Sequence, residues 1–530
     1  MSHYDVIVVG AGTAGLFCAN FLARFGKKAL LLEHNYQPGG LTGGFWRRKF
    51  YFDAGDQSFE SGGIMIPLLK KLGLYRREDW EFADYTIAYD RGSVVMKDQK
   101  KALSELLDLF PEQRQEMSRL YSEMIRCANV VGSLSNDRNS PIDKTGFERL
   151  RSIIDIGRTF VLNRERMKEM MSMTIPDLYN RYLPPSDFRD RMTHLGYRNM
   201  PVAMGAGFWF TWFEDYWHYK RGLQALMNDL AAHFVRQRGV MHCSQTVDRI
   251  LIERNRAFGV RTKDGNTYEG KSVVYAGTLQ RLYTELIEAH LLDPDLIRQV
   301  KTAPLSEPLV ALYLGVDMTD QELSRYLKTH HTLYFPDGPV PDYEDIHNER
   351  MHETAFTEIT WTSKHCKDLA PLNKNSLVLQ TFTSYNWMDK WGAGGDDFKR
   401  PQKYKDLKAL VAKQMLETAC RYIPVLKDRI VYQTLGTPLS TIRFTLNPQG
   451  ASCGWSLALG QSYLQDKWLS LTTPIDRLYS IGHTTFWPGG VPMAALSGFL
   501  VAQMIKHEEK LLFLRGAARR LMRSRRIPAR

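Results

Sequence analysis

At 530 residues the chain is long enough for two or three domains with large buried cores. Hydrophobic residues make up 44% and charged residues 24%, which excludes a disordered or collagen-like chain. Lys and Arg outnumber Asp and Glu by 70 to 58, and seven arginines with no acid fall in residues 511–530, so more than half of the formal +12 belongs to the tail.

YDVIVV, residues 4–9, is too uniformly apolar for a half-exposed strand and reads as a buried parallel one. Gly10, Gly12 and Gly15 follow as GxGxxG, with Thr13 and Ala14 inside the turn. Gly10 permits the tight turn, Gly12 lets the backbone approach a pyrophosphate, and Gly15 lets the next helix pack close on the strand. The segment LFCANFLARFG carries apolar residues at helical spacing, and Gly26 is its expected C-cap. KKALLLEH is the second strand, with Glu33 and His34 at its end. A carboxylate there accepts from both hydroxyls of an adenosine ribose. A second glycine pair, Gly39-Gly40, then precedes LTGGFWRRKFYFDAGDQSF, which contains Leu41 and Gly55. An NAD domain needs no such pair, whereas an extended FAD meets the backbone more than once.

The run Asp5–Phe59 resembles the N-terminus of the phytoene desaturase, carotenoid isomerase and retinol saturase family. These are FAD-dependent enzymes of carotenoid biosynthesis and related isoprenoid chemistry, within the amine oxidase-like flavoprotein group. Residues 217–277 are similar to the family's middle block: strand, helix, a strand meeting the adenine near Val247, then a meander on the Asp264-Gly265 turn. Residues 478–505 are similar to its C-terminal flavin motif, with Gly482, His483, the Gly489-Gly490 turn and a helix starting near Val491. Three positions depart from the family: Leu41 replaces an arginine, His483 replaces an aspartate, and Lys220-Arg221-Gly222 replaces a Gly-Gly pair.

The resemblance implies an α/β fold: a Rossmann-like FAD-binding domain, βαβ with a three-stranded meander, and an interleaved α+β substrate domain. Residues 1–79, 216–300 and 471–510 are expected to bind FAD, 80–215 and 301–470 to form the substrate domain, and 511–530 to be a basic amphipathic tail. The N-terminus of the last helix would favour the anionic reduced flavin. His483, beside the cofactor, is a candidate to bond the ribityl chain or to titrate near neutrality, against the plainer reading of a structural histidine.

On the substrate side, residues 100–110, 112–131, 186–197 and 404–423 are expected to form helices, and LVALYLGV and SLVLQTFT strands. The aromatic cluster GAGFWFTWFEDYWHY, 205–219, suits a cavity floor or lid as well as plain core. Phe210, Trp212, Trp217 and the more distant Trp487 are the candidate pocket residues. Asp215 is the candidate proton donor, set against the reading of Glu214-Asp215 as an exposed turn.

Other chemistries lack their spacing. No GxSxG is present, HNERMH is not HExxH, and no second GxGxxG marks a separate nicotinamide domain. The six cysteines form no CxxC or zinc pattern and read as reduced thiols, with no metal expected. No signal peptide or spanning segment is visible, so a cytoplasmic location is expected. Leu511, Leu514, Ala518, Leu521 and Met522 share a helical face beside an arc of Arg515, Arg519, Arg523 and Arg526, interrupted by Arg525. That tail could hold the chain to the inner face of a membrane, set against the reading of a disordered solubilising tail, and a nucleic-acid role is not expected. The expected function is desaturation, saturation or isomerisation of an apolar polyene by hydride transfer with the flavin. The alternatives are an amine oxidase-like flavoprotein on a polar molecule and a non-catalytic prenyl-lipid escort.

Overall fold

In the computed structural model, residues 3–193, 195–460, 471–485 and 489–524 are described, without the side chains of 509–524. Tyr4–Val9 is buried almost throughout, as an apolar run without alternation requires. It lies in parallel between Ala29–Leu32 and Thr267–Tyr275. Val240–His242 extends the sheet on one side and Leu478–Ser480 on the other, both in parallel. The core of this sheet thus draws on the beginning, middle and end of the chain.

Thr267–Tyr275 belongs to two layers. Its first three residues pair antiparallel with Arg256–Thr262, which pairs with Val247–Glu253; from Gly270 onward the strand runs beside Tyr4–Val9. This is the expected meander. Gly265 closes one turn at φ +85°, and Arg254 and Asn255 close the other, both also in the left-handed region.

The helix after the glycine turn, Thr13–Arg24, packs on the C-terminal helix, Gly490–Ser524. A Cβ on Gly498 would overlap the carbonyl oxygen of Ala14, so the two backbones meet as closely as glycine allows. Phe21 and Phe499 meet edge-on at 4.7 Å. On another side, the Asn20 amide donates to the Leu230 carbonyl at 3.0 Å, tying in the helix Leu223–Arg236.

The FYFD segment forms the strand Phe50–Asp53. Asp53 accepts from the first N–H of the helix Leu223–Arg236 at 2.8 Å, and Tyr51 donates to Asp53. Gln224 accepts from Gly44 N at 2.9 Å and donates to Pro38 O at 2.9 Å. These bonds clamp the second glycine turn to the helix. Burial pushes the Asp53 carboxyl up to about 7, against the pull of its hydrogen bonds.

The second large sheet has the order 430–436, 309–316, 375–382, 357–361, 331–335, 85–89, 92–96. It is antiparallel except between His331–Phe335 and Tyr85–Tyr89. Its alternating side chains serve two cores. Tyr85, Ile87 and Leu333 face the helices drawn from 99–214, while Ala88, Tyr334 and Ile359 face the helix Gln402–Tyr422. The chain leaves the parallel sheet near Trp80 and returns at Trp217, where Trp80–Phe82 pairs with Trp217–Tyr219. None of the six cysteines is in a disulfide among the described residues. No helix among the described residues is long and apolar enough to cross a membrane.

Candidate functional site

A cavity of about 890 Å³ runs between the parallel sheet, the second sheet and the helical layer. One end is walled by turns from distant parts of the chain. Gly10, Gly12, Thr13, Ala14, Glu33, His34, Gly40, Leu41, Val247, Gly482, His483, Gly490 and Val491 all line it. The backbone is bare here: a Cβ on Gly12 would meet nothing closer than Gly40 Cα at 3.9 Å.

Glu33 is buried at the end of its strand, where its carboxylate accepts from Ala11 N at 2.6 Å and Asn35 N at 2.7 Å. Burial raises its pKa, and the backbone N–H groups of Asn35, Ala11 and His34 pull it back. His34 bridges Thr246 Oγ1 at 2.7 Å and the Arg443 carbonyl at 3.1 Å. Arg281, also on the wall, donates to the Val247 carbonyl at 2.9 Å. Thr13 and Thr42 share a hydroxyl hydrogen bond of 2.9 Å.

The middle of the cavity is acidic. Asp56 follows the second glycine turn, with its N–H on the Leu41 carbonyl at 3.1 Å. Glu60 lies beside the start of the C-terminal helix, 3.6 Å from where a Cβ of Gly490 would stand. Burial raises Asp56 to about 7, helped by repulsion from Glu60, and raises Glu60 to about 6. Glu358 is held differently. Burial would raise it, but His331 at 2.7 Å and the Tyr85 hydroxyl at 3.0 Å keep it below the usual range. His331 Nε2 in turn meets Ser58 Oγ at 2.9 Å.

The far end is an apolar chamber. The helix Val202–Glu214 contributes Phe208, Phe210 and Trp212, and the second sheet contributes Leu333 and Phe382.

These features fit an extended flavin nucleotide. The turns leave backbone bare along one wall, a carboxylate stands where a ribose would lie, and His483 Nε2 is buried without a hydrogen-bond partner. The profile of the family described as "flavin containing amine oxidoreductase" matches residues 13–506. The chain belongs to that family. It is an FAD-dependent oxidoreductase. All-trans-retinol 13,14-reductase of Danio rerio is 23% identical over 515 residues, covering 90% of this chain and 82% of the relative. The chloroplastic prolycopene isomerase of Daucus carota is 24% identical over 538 residues, covering 95% and 80%. Putrescine oxidase bound to putrescine shares the fold, with a TM-score of 0.60 at 15% identity over 95% of this chain and 99% of that one.

Several expected site residues of the flavoprotein are placed differently. Gly15 and Gly55 do not reach the cavity. A Cβ on Gly15 would overlap the Gly10 carbonyl, which is the close helix–strand approach expected of Gly15, and one on Gly55 the Leu41 carbonyl, so both shape turns from behind. Trp217 is not on the wall either; its strand pairs with Trp80–Phe82, and its ring lies 5.3 Å from the Arg77 guanidinium. Trp487 lies outside the described residues.

Asp215 is buried on the wall rather than in an exposed turn. Burial raises it to about 7, yet both oxygens are engaged, by Ser61 N, Gly62 N and Trp217 Nε1. It holds the 61–63 loop, a positioning role. His483 does not titrate near neutrality, because burial pushes it down to about 4 and leaves it a neutral imidazole. Asp56, Glu60, Glu358 and His331 were not singled out from the sequence. They meet only through folding, and the acids after FDAG at 56 and 60 were the one local hint.

Proposed function

We propose that this oxidoreductase exchanges hydride with a long, apolar, conjugated isoprenoid-like molecule, and so desaturates, saturates or isomerises it. The observation that supports this reading is the continuity of one cavity, from bare nucleotide-type turns, past buried acids, into the chamber of Phe208, Phe210, Trp212, Leu333 and Phe382. The relatives named for all-trans-retinol and prolycopene support the same substrate class.

Bound FAD supplies the hydride acceptor or donor. The 10–14 turn and Glu33 would hold its adenosine half, and the Gly39–Leu41 and Gly489–Val491 turns its far half. The aromatic chamber aligns the substrate and excludes water. Forming a double bond removes a hydride from one carbon and a proton from its neighbour; saturation delivers both. Glu60 and Asp56 would exchange that proton, because burial raises their pKa values to about 6 and about 7, close to neutrality. The basic segment 511–530 enters the proposal as a surface anchor on its sequence alone.

The test incubates oxidised and reduced holoenzyme with retinol, a cis-carotene and putrescine. Polyene absorption bands and released peroxide are read. Altered conjugation or cis–trans geometry without peroxide from putrescine is expected. Amine turnover with unchanged polyene bands overturns the reading in favour of an amine oxidase.

A further inference from the structure

Helix Gly146–Leu162 is built inside out. Among the described residues sixteen large hydrophobic side chains are exposed, and seven of them sit on this one helix: Phe147, Leu150, Ile153, Ile154, Phe160, Val161 and Leu162. Phe147 is 79% exposed and Val161 71%. At 100° per residue, all but Leu162 fall within an arc of about 140°. Arg149 borders that arc on one edge, and Arg151 and Arg158 on the other. The acids Glu148 and Asp155 fall on the opposite side. Turned toward the body are Ser152, which accepts from Lys144 at 2.8 Å, and Ile156, which lines the apolar cavity.

A water-facing helix normally presents its polar arc outward. An exposed apolar arc edged by arginines is the pattern of a helix lying in the plane of a bilayer, with the apolar side chains among acyl chains and the guanidinium groups at phosphate level. Arg149 and Arg158 have no carboxylate partner among the described residues, which leaves them for lipid phosphates. From Arg138 to Lys168 the sequence holds eight Lys or Arg against four Asp or Glu, so the complementary surface is anionic. A second copy of this helix would bring like charges together, and so would the arginine-rich tail. Lys71 lies within electrostatic reach of both Arg149 and Lys506, which puts this helix on the side of the middle of the C-terminal helix.

We propose that helix Gly146–Leu162 docks the enzyme on an anionic lipid bilayer, and that the cavity is loaded from the membrane past Ile142 and Ile156. Docking does not depend on which molecule is turned over, because vesicle binding is read without substrate.

The test sediments full-length holoenzyme with vesicles of phosphatidylcholine, with and without phosphatidylglycerol. Wild type is expected in the pellet, more strongly with the anionic lipid. Leu150→Asp/Ile154→Asp/Val161→Asp should lower vesicle affinity by about a hundredfold or more while flavin absorbance stays unchanged. Arg149→Ala/Arg158→Ala should lower it about tenfold on anionic vesicles only; this variant decides the matter if the triple variant loses its flavin. The proposal is overturned if either folded variant binds as wild type does. It is also overturned if binding is abolished solely by removing 511–530, or if light scattering shows that the face pairs two copies and the triple variant only separates them.

Discussion

At Glu33 one carboxylate does two jobs. It accepts from Ala11 and Asn35 N–H groups, which shapes the first turn, and it faces the cavity. Charge-assisted bonds of this kind contribute about 1.5–3 kcal/mol each. Glu33→Arg is therefore expected to leave the protein with little flavin after purification, read from the visible absorbance per mole of protein. Glu60 and Asp56 carry a sharper prediction. Both are protonated below about pH 6 and ionised above about pH 7. If the enzyme delivers a proton to carbon, kcat/KM falls as pH rises through that window; if it removes one, kcat/KM rises. Glu60→Gln should erase the lower inflection and shift the upper one down, because the Glu60 charge helps hold Asp56 up. A pH–rate profile unchanged in Glu60→Gln would remove that residue from the proton path. The place of Glu33 on the cavity wall was legible in the sequence because it follows from a fixed offset after GxGxxG. Glu60 was not, because its role comes from meeting a turn some 430 residues away.

Among the elements, the C-terminal helix is the most constrained. Gly498 lies against the Ala14 carbonyl, so Gly498→Ala must push the helix off the glycine turn. The expected cost is about 2–4 kcal/mol, read as a lower thermal midpoint together with weaker flavin retention. The clamp at Asp53 has a pH signature. Its folded pKa of about 7 stands above the ordinary value of 3.8. Between those values the unfolded chain releases a proton that the folded one keeps, so stability falls as pH rises through the window. Asp53→Asn should flatten that part of the slope in urea titrations at pH 4 and pH 7. The glycine-turn helix and both cited strands of the second sheet were readable, because period and turn residues are local, whereas the meander was expected from the family resemblance. Helix Gly146–Leu162 was passed over. Its apolar repeat reads the same whether the face points in or out, and only packing tells which.

For the molecule as a whole, segments from the start, middle and end of the chain line one wall of the cavity. A ligand bridging them stabilises all of them at once, by about 2.7 kcal/mol at a hundredfold excess over its Kd. Stripping the flavin should lower the thermal midpoint of the whole chain in one transition, and adding FAD should restore it. A midpoint indifferent to FAD would contradict a cofactor held by all three segments.

The parallel pairing of Thr267–Tyr275 with Leu478–Ser480, and the seat of Gly490–Ser524 on Thr13–Arg24, also set an order of events during synthesis. At ~5–20 residues per second the first strand leaves the ribosome roughly 25–95 s before its most distant sheet-mates are made. Until then the nascent polypeptide carries an unfinished parallel edge, a hazard for aggregation. Cofactor loading must accordingly await the segment from 478 to 491, and chains arrested before residue 478 should emerge without colour and in need of a chaperone.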